Sequence, residues 1–154
     1  MVWIGIGIGI IVGFLLGTLF AVQKFRKRMF SDKKKEYHIR TINDFLSNKN
    51  NDVMCFFKDH NYSSCIVYGL GAYYQTFLDM LDQERITIYL CDKKAYGDKI
   101  YSPSQIGDIN ADIIVVTAIS YFEEIANELR TLYGEKREIF SFQDILFYAA
   151  KENK

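Results

Sequence analysis

What catalysis and metal binding usually require is mostly missing from this chain. It holds two histidines and three cysteines in 154 residues. His38 and His60 have no nucleophile or second ligand beside them in sequence, and Cys55, Cys65 and Cys91 lack the spacing of metal ligands. No HExxH, CxxC, Walker A or Gly-x-Ser-x-Gly pattern occurs, which removes the usual motif-based routes to a zinc hydrolase, a dithiol redox protein, a P-loop enzyme or a serine hydrolase. No metal is expected. The odd cysteine set, each member in an apolar run, fits reduced thiols buried in a core in a reducing compartment. Net charge is also absent, at a formal value of +0. That zero conceals a split: residues 24–36 carry seven Lys/Arg against two acids, and residues 37–154 carry 12 basic and 17 acidic residues. An acidic domain excludes nucleic acid as its partner, because phosphate binding needs a basic face.

One long apolar run is present. Residues 2–22, VWIGIGIGIIVGFLLGTLFAV, hold no charge, and Thr18 is their one polar side chain. At about 1.5 Å per residue the run spans roughly 30 Å, the thickness of a bilayer core. Its charges follow it: Lys24, Arg26, Lys27, Arg28, Lys33, Lys34 and Lys35. The positive-inside rule then places the basic segment and all that follows in the cytoplasm, with the N-terminus outside. A cleavable signal peptide carries its charge first and ends at a small-residue site, so a permanent single-pass anchor in the inner or plasma membrane is the reading. Gly5, Gly9, Gly13 and Gly17 recur every four residues. That spacing lets two helix backbones approach closely, so a helix partner (a second copy or a larger membrane protein) is expected beside the lipid bilayer.

The organisation is therefore a transmembrane helix over 1–23, a basic juxtamembrane linker over 24–36 and a cytoplasmic domain over 37–154. Two short helices open the domain. The first begins at Thr41, whose spacing to Asp44 fits a capping box, and the second packs Val53, Phe56 and Phe57 and stops near Asn61. Strands at 65–68, 86–91, 99–101, 113–116 and 138–140 then alternate with helices. The first of these helices runs from Ala72 to about Gln83. A brief one opens at Ser102-Pro103-Ser104-Gln105. A third is capped by Ser120 and Glu123 and buries Phe122, Ile125, Ala126, Leu129 and Leu132, and the last is capped by Ser141 and Asp144. Alternation of this kind implies a parallel α/β sheet with right-handed crossovers, and five strands in the order 3-2-1-4-5 is the expected topology.

Between the first strand and its helix lies Gly69-Leu70-Gly71-Ala72, and Asp92 closes the second strand 23 residues after Gly69. This is the layout of a dinucleotide-binding βαβ unit. One glycine allows a tight turn, the next admits a pyrophosphate to the backbone, the helix start offers free N–H groups, and the distal acid takes a ribose hydroxyl. Lys93 stands ready for a phosphate. In such sheets the ligand lies where the strand order reverses, which brings in Thr117 and Ala118, with Ser120 behind them. Gly69, Leu70, Gly71, Ala72, Asp92, Lys93, Thr117 and Ala118 are thus the candidate cofactor-binding residues. Tyr74 stands where the fingerprint has its third glycine, and its ring is expected to push the helix outward or to narrow the pocket. Tyr89 and Lys93 have the spacing of a dehydrogenase Tyr-x-x-x-Lys pair. On a strand, however, i and i+4 stand about 13 Å apart, so no catalytic pair follows.

Residues 62–148 resemble a small Rossmann-like domain of bacterial surface-glycan gene clusters. The likeness rests on Ile66-Val67-Tyr68-Gly69-Leu70-Gly71, Cys91-Asp92-Lys93-Lys94, Ala111-Asp112-Ile113-Ile114-Val115-Val116-Thr117-Ala118, Tyr121-Phe122-Glu123-Glu124-Ile125 and Ile139-Phe140-Ser141-Phe142-Gln143-Asp144-Ile145-Leu146. The resemblance implies NAD(P) or a nucleotide-sugar as ligand and a place in surface-polysaccharide biosynthesis. The leading expectation is a membrane-anchored binding module, an accessory or a sensor. The alternatives are an oxidoreductase or epimerase completed by a partner, and a scaffold that binds no ligand.

Overall fold

The computed structural model of the chain describes residues 33, 36–37, 39–47, 52–94, 97 and 99–152. The apolar run at 2–22 with its glycine repeat, most of the basic linker and His38 lie outside them. The chain divides into two compact units, Met1–Ile39 and Arg40–Lys154. Of the first, Lys33, Glu36, Tyr37 and Ile39 are described; each is helical and exposed.

The second unit opens with helix α1 (40–47) and helix α2 (Met54–Asp59). Strands β1 (Ser64–Tyr68), β2 (Thr87–Cys91), β3 (Ile100–Tyr101), β4 (Ile113–Val116) and β5 (Glu138–Ser141) follow, with helices α3 (Tyr74–Asp79), α4 (Phe122–Tyr133) and α5 (Phe142–Glu152) among them. All four strand pairings are parallel and the order is β3-β2-β1-β4-β5, as the alternation of elements predicts. β4 is apolar throughout, and so is β1 from Cys65 to Val67, because both of their faces are covered.

Successive residues of these strands serve opposite cores. Cys65 and Val67 of β1 and Ile113 and Val115 of β4 face a first core with Ile42, Phe57, Phe77 and Phe142 from α1, α2, α3 and α5. Ile66 and Tyr68 of β1 and Ile114 and Val116 of β4 face a second core with Ile106, Ile125 and Leu129. This division follows from strand geometry, in which neighbouring side chains point to opposite faces. Full burial of a side chain of Phe or Ile size stabilises by about 1.5–3 kcal/mol.

Several helix starts depart from the sequence reading. α3 spans Tyr74–Asp79, not 72–83. Ala72 and Tyr73 form a turn, and Asp82 ends the segment by accepting the Glu84 N–H on its own Oδ1 at 3.2 Å. Such an Asx turn competes with helix. Thr41 lies inside α1, which is already helical at Arg40, so the helix does not begin there. No side chain caps α4 either: a 3₁₀ turn at Ile119–Tyr121 precedes it, set by burial of Ile119 and the bond from the Tyr121 N–H to Ala118 O. The brief helix after Pro103 is a 3₁₀ turn at Ile106–Asp108, although Gln105 does reach back to the Ser102 N–H at 2.8 Å. At α5 the box is complete, since the Asp144 N–H donates to Ser141 Oγ and Asp144 Oδ2 accepts the Ser141 N–H. Leu132 is exposed because Tyr133, one turn beyond Leu129, takes the inner position and donates its hydroxyl to Pro103 O. Arg137 holds the same crossover, donating to the carbonyls of Ile106, Gly107 and Ile109.

At the amino edge of the sheet, Asp112 ties β4 to β1. Its Oδ2 accepts the N–H groups of Ser63 at 2.8 Å and Ser64 at 2.9 Å and both of their hydroxyls. The Ser63 N–H is the main reason that its carboxyl is held below the usual carboxylate range. A lowered folded pKa contributes stability that is complete above the unfolded value of about 3.9 and is lost as pH falls through the folded pKa. Asp112→Ala is expected to cost about 1–2 kcal/mol in urea unfolding at pH 7, the site being exposed. The loss should shrink below about pH 4; a cost that is the same at pH 7 and at pH 3 would contradict this role.

Candidate functional site

The order of the strands reverses between β1 and β4, and a cleft of ≈ 240 Å³ opens there at their carboxyl ends. Tyr68 and Gly69 enter it from the end of β1, and Asp92 and Lys93 from the end of β2. Ala118, Tyr121, Glu124 and Ile125 come from the segment after β4. The cleft lies on the α4 side of the sheet, since Tyr68 and Ile125 belong to the second core.

The geometry of the floor is set at Gly69. Its φ of +94° suits glycine, and a Cβ built there stands 2.9 Å from the Cβ of Ala118. Its N–H donates to Cys91 O at 2.9 Å, and its carbonyl accepts the Thr117 hydroxyl. Gly71 differs: a Cβ there meets nothing within 4 Å, and the residue is exposed. The turn from Gly69 to Gly71 is steadied by Asp92, whose Oδ2 accepts the Leu70 N–H at 2.8 Å while its Oδ1 accepts the Lys94 N–H at 2.8 Å. Each carboxylate oxygen has two lone pairs, so Asp92 retains acceptor capacity toward a ligand.

Electrostatically the cleft leans acidic. Lys93 Nζ is drawn to Glu128 at 2.5 Å, and that bond is the chief cause that raises its pKa. Asp92 and Glu124 then remain as lining acids. Tyr68 is 2 % exposed, and its hydroxyl has no hydrogen-bond partner among the described residues. Burial, followed by the charges of Cys91, Glu128 and Asp92, pushes its phenol upward, so it stays protonated as a donor. A buried hydroxyl left unpaired costs about 1–3 kcal/mol. Tyr121 adds a half-exposed ring at the rim.

Of the eight residues expected to bind a cofactor, the structure brings Gly69, Asp92, Lys93 and Ala118 to the cleft wall. Leu70, Gly71 and Ala72 form the turn beside it and do not line it. Thr117 is buried and spends its hydroxyl on the end of β1. Tyr74 packs against the first core and does not line the cleft, so of the two effects expected of its ring the narrowing does not occur. Tyr89 packs on Tyr101 with ring centroids 6.3 Å apart, away from the cleft that Lys93 lines. Tyr68, Tyr121, Glu124 and Ile125 escaped the sequence reading. The position of Tyr68, last in a strand before a glycine turn, was the available signal for it.

Cys65 and Cys91 are buried, and burial pushes both thiols up to about 12, far from reactive. His60 is exposed, with Nδ1 2.9 Å from Phe56 O and its ring stacked on Tyr62. Among the described residues no group of His, Cys, Asp and Glu is arranged to hold a metal ion.

The fold and cleft together define an open, doubly wound parallel α/β domain with its concavity at the topological switch point. The chain belongs to the family described as C2185-like, N-terminal, which matches residues 61–140 and so spans β1 through most of β5. No curated protein and no solved structure matches the chain.

The two glycines should respond differently to the same methyl group. Gly69→Ala is expected to destabilise by about 2 kcal/mol or more, combining a positive φ with overpacking against Ala118. Gly71→Ala should stay within about 0.5 kcal/mol. Thermal melts of both variants check this, and equal shifts would refute the division of roles.

Proposed function

We propose that the chain is a membrane-tethered module that binds a nucleotide or a nucleotide-sugar, with NAD(P) as one candidate. The observation that carries this reading is the cleft at the switch point, walled by Gly69 and Asp92 and flanked by the open Gly71 turn. Ligands of doubly wound α/β sheets lie at this place. The cleft is smaller than the roughly 300–1,000 Å³ of typical ligand pockets. It suits one end of a nucleotide, with the remainder lying over Gly71, where there is room.

Binding is favoured over catalysis because the two charged groups at the end of β2 are already engaged. Asp92 steadies the Leu70 and Lys94 amides, and Lys93 is paired with Glu128. The tether is the apolar run at 2–22, followed by its basic segment; the Rossmann-like domain then hangs at the cytoplasmic face. Among the described residues no helix is long and apolar enough to cross a membrane, and the run lies outside them. A module so placed serves as accessory or sensor for surface-polysaccharide synthesis, whose lipid-linked substrates share that membrane.

Thermal-shift and calorimetric titration of the full chain in detergent with NAD(H), NADP(H) and UDP-sugars tests the reading. A true ligand at 100 times its Kd adds about 2.7 kcal/mol, roughly 5–10 °C in Tm for a domain of this size. Gly71→Asp should abolish that shift without changing the circular dichroism, since its side chain projects into open space but carries charge against a phosphate. Indifference to every candidate, or unchanged affinity in Gly71→Asp, would overturn the proposed pocket.

A further inference from the structure

The cleft pairs a buried donor without an acceptor with two acids, Asp92, which already accepts from the Leu70 and Lys94 amides, and Glu124. Tyr68 presents a hydroxyl that nothing among the described residues satisfies, at a residue that lines the cleft and is 2 % exposed. A buried polar group left open in this way marks a place where something else completes the bond. Around it, Asp92 and Glu124 are negative, and Lys93, the cation that lines the cleft, is neutralised by Glu128. The start of α4 offers a phosphate little, because its first turn already carries Glu123 and Glu124 against the positive end of the helix dipole.

From this we infer that the cleft receives the uncharged nucleoside end of the ligand, with the Tyr68 hydroxyl donating to an oxygen or nitrogen acceptor on it, and that phosphate groups stay outside. The inference rests on the nucleotide-binding reading and deepens it. The ring of Tyr121 at the rim supplies a flat apolar wall for a base or a sugar face. Glu124 faces the same space and can accept from ligand hydroxyls, whereas a diphosphate there would meet two carboxylates.

The test titrates the full chain in detergent with uridine, adenosine, UDP, ADP and inorganic pyrophosphate. Nucleosides are expected to bind within about threefold of their diphosphates, with pyrophosphate a poor competitor. Tyr68→Phe should weaken nucleoside binding about five- to tenfold, the worth of one hydrogen bond, while Tm holds or rises because an unpaired buried hydroxyl is gone. Glu124→Gln, an exposed site that leaves the fold alone, should shift the preference toward the diphosphate. Two results would overturn the inference while the nucleotide reading stands. One is diphosphates binding more than about 100-fold tighter than nucleosides with pyrophosphate competing, and the other is Tyr68→Phe and Glu124→Gln both binding as wild type. If neither nucleosides nor nucleotides bind at all, the nucleotide reading itself falls, and this inference falls with it.

Discussion

Three strands end together at Gly69, and the carboxyl edge of the sheet depends on how they do so. The Gly69 N–H extends the β1–β2 ladder to Cys91, and its carbonyl receives the Thr117 hydroxyl from the end of β4. The side chain it lacks leaves room for Ala118. No other residue type meets all three demands, because the backbone is in a positive-φ conformation and the neighbouring Cβ is within contact distance. The cleft exists because this junction is tight. Its wall from β4 lies close to its wall from β1, and the first turn of α4 lines it through Glu124 and Ile125.

Two aspartates do parallel work at opposite edges of the sheet. Asp112 at the amino edge collects the N–H groups and hydroxyls of Ser63 and Ser64, and Asp92 at the carboxyl edge collects the N–H groups of Leu70 and Lys94. Each carboxylate supplies acceptors to backbone donors that the strand ladder does not reach, and such charge-assisted bonds are stronger than neutral ones. The difference lies in what surrounds them. Asp112 spends Oδ2 on four donors of Ser63 and Ser64 at an exposed edge, whereas Asp92 lines a concavity beside an unsatisfied phenol, so one reads as a staple and the other as a staple with a spare face.

Much of the fold was legible because the strands are short, apolar and bounded by turn residues. Ile113–Val116 could be read to the residue, since four β-branched side chains in a row leave no helical alternative. The order of the sheet followed from alternation and crossover handedness. Helix starts were legible only where the capping residues had no competing role. Ser141 and Asp144 form their box, but Ser120 lies in a 3₁₀ turn that the burial of Ile119 imposes, and α1 starts before Thr41. The site was half legible: glycines and the distal acid announce themselves by spacing, and Tyr68 does not. A tyrosine at the end of an apolar strand looks like core from the sequence. Its hydroxyl becomes informative only when the register with Cys91 and Val116 shows which face it takes and what is missing there.

The family match stops at residue 140, whereas the first core does not. Phe57 and Ile42 come from before the matched region, and Phe142, Ile145 and Leu146 from after it, so segments that flank the match share the covering of this side of the sheet with Phe77 of α3. The ring of Phe56 even meets those of Phe140 and Tyr148, with centroids 5.0 and 5.3 Å apart. Synthesis proceeds from the N-terminus, so this side of the sheet lacks the share that Phe142, Ile145 and Leu146 contribute until α5 has left the ribosome. Until then the nascent domain carries a partly bare apolar face, a window in which chaperones and stray hydrophobic contacts compete for it.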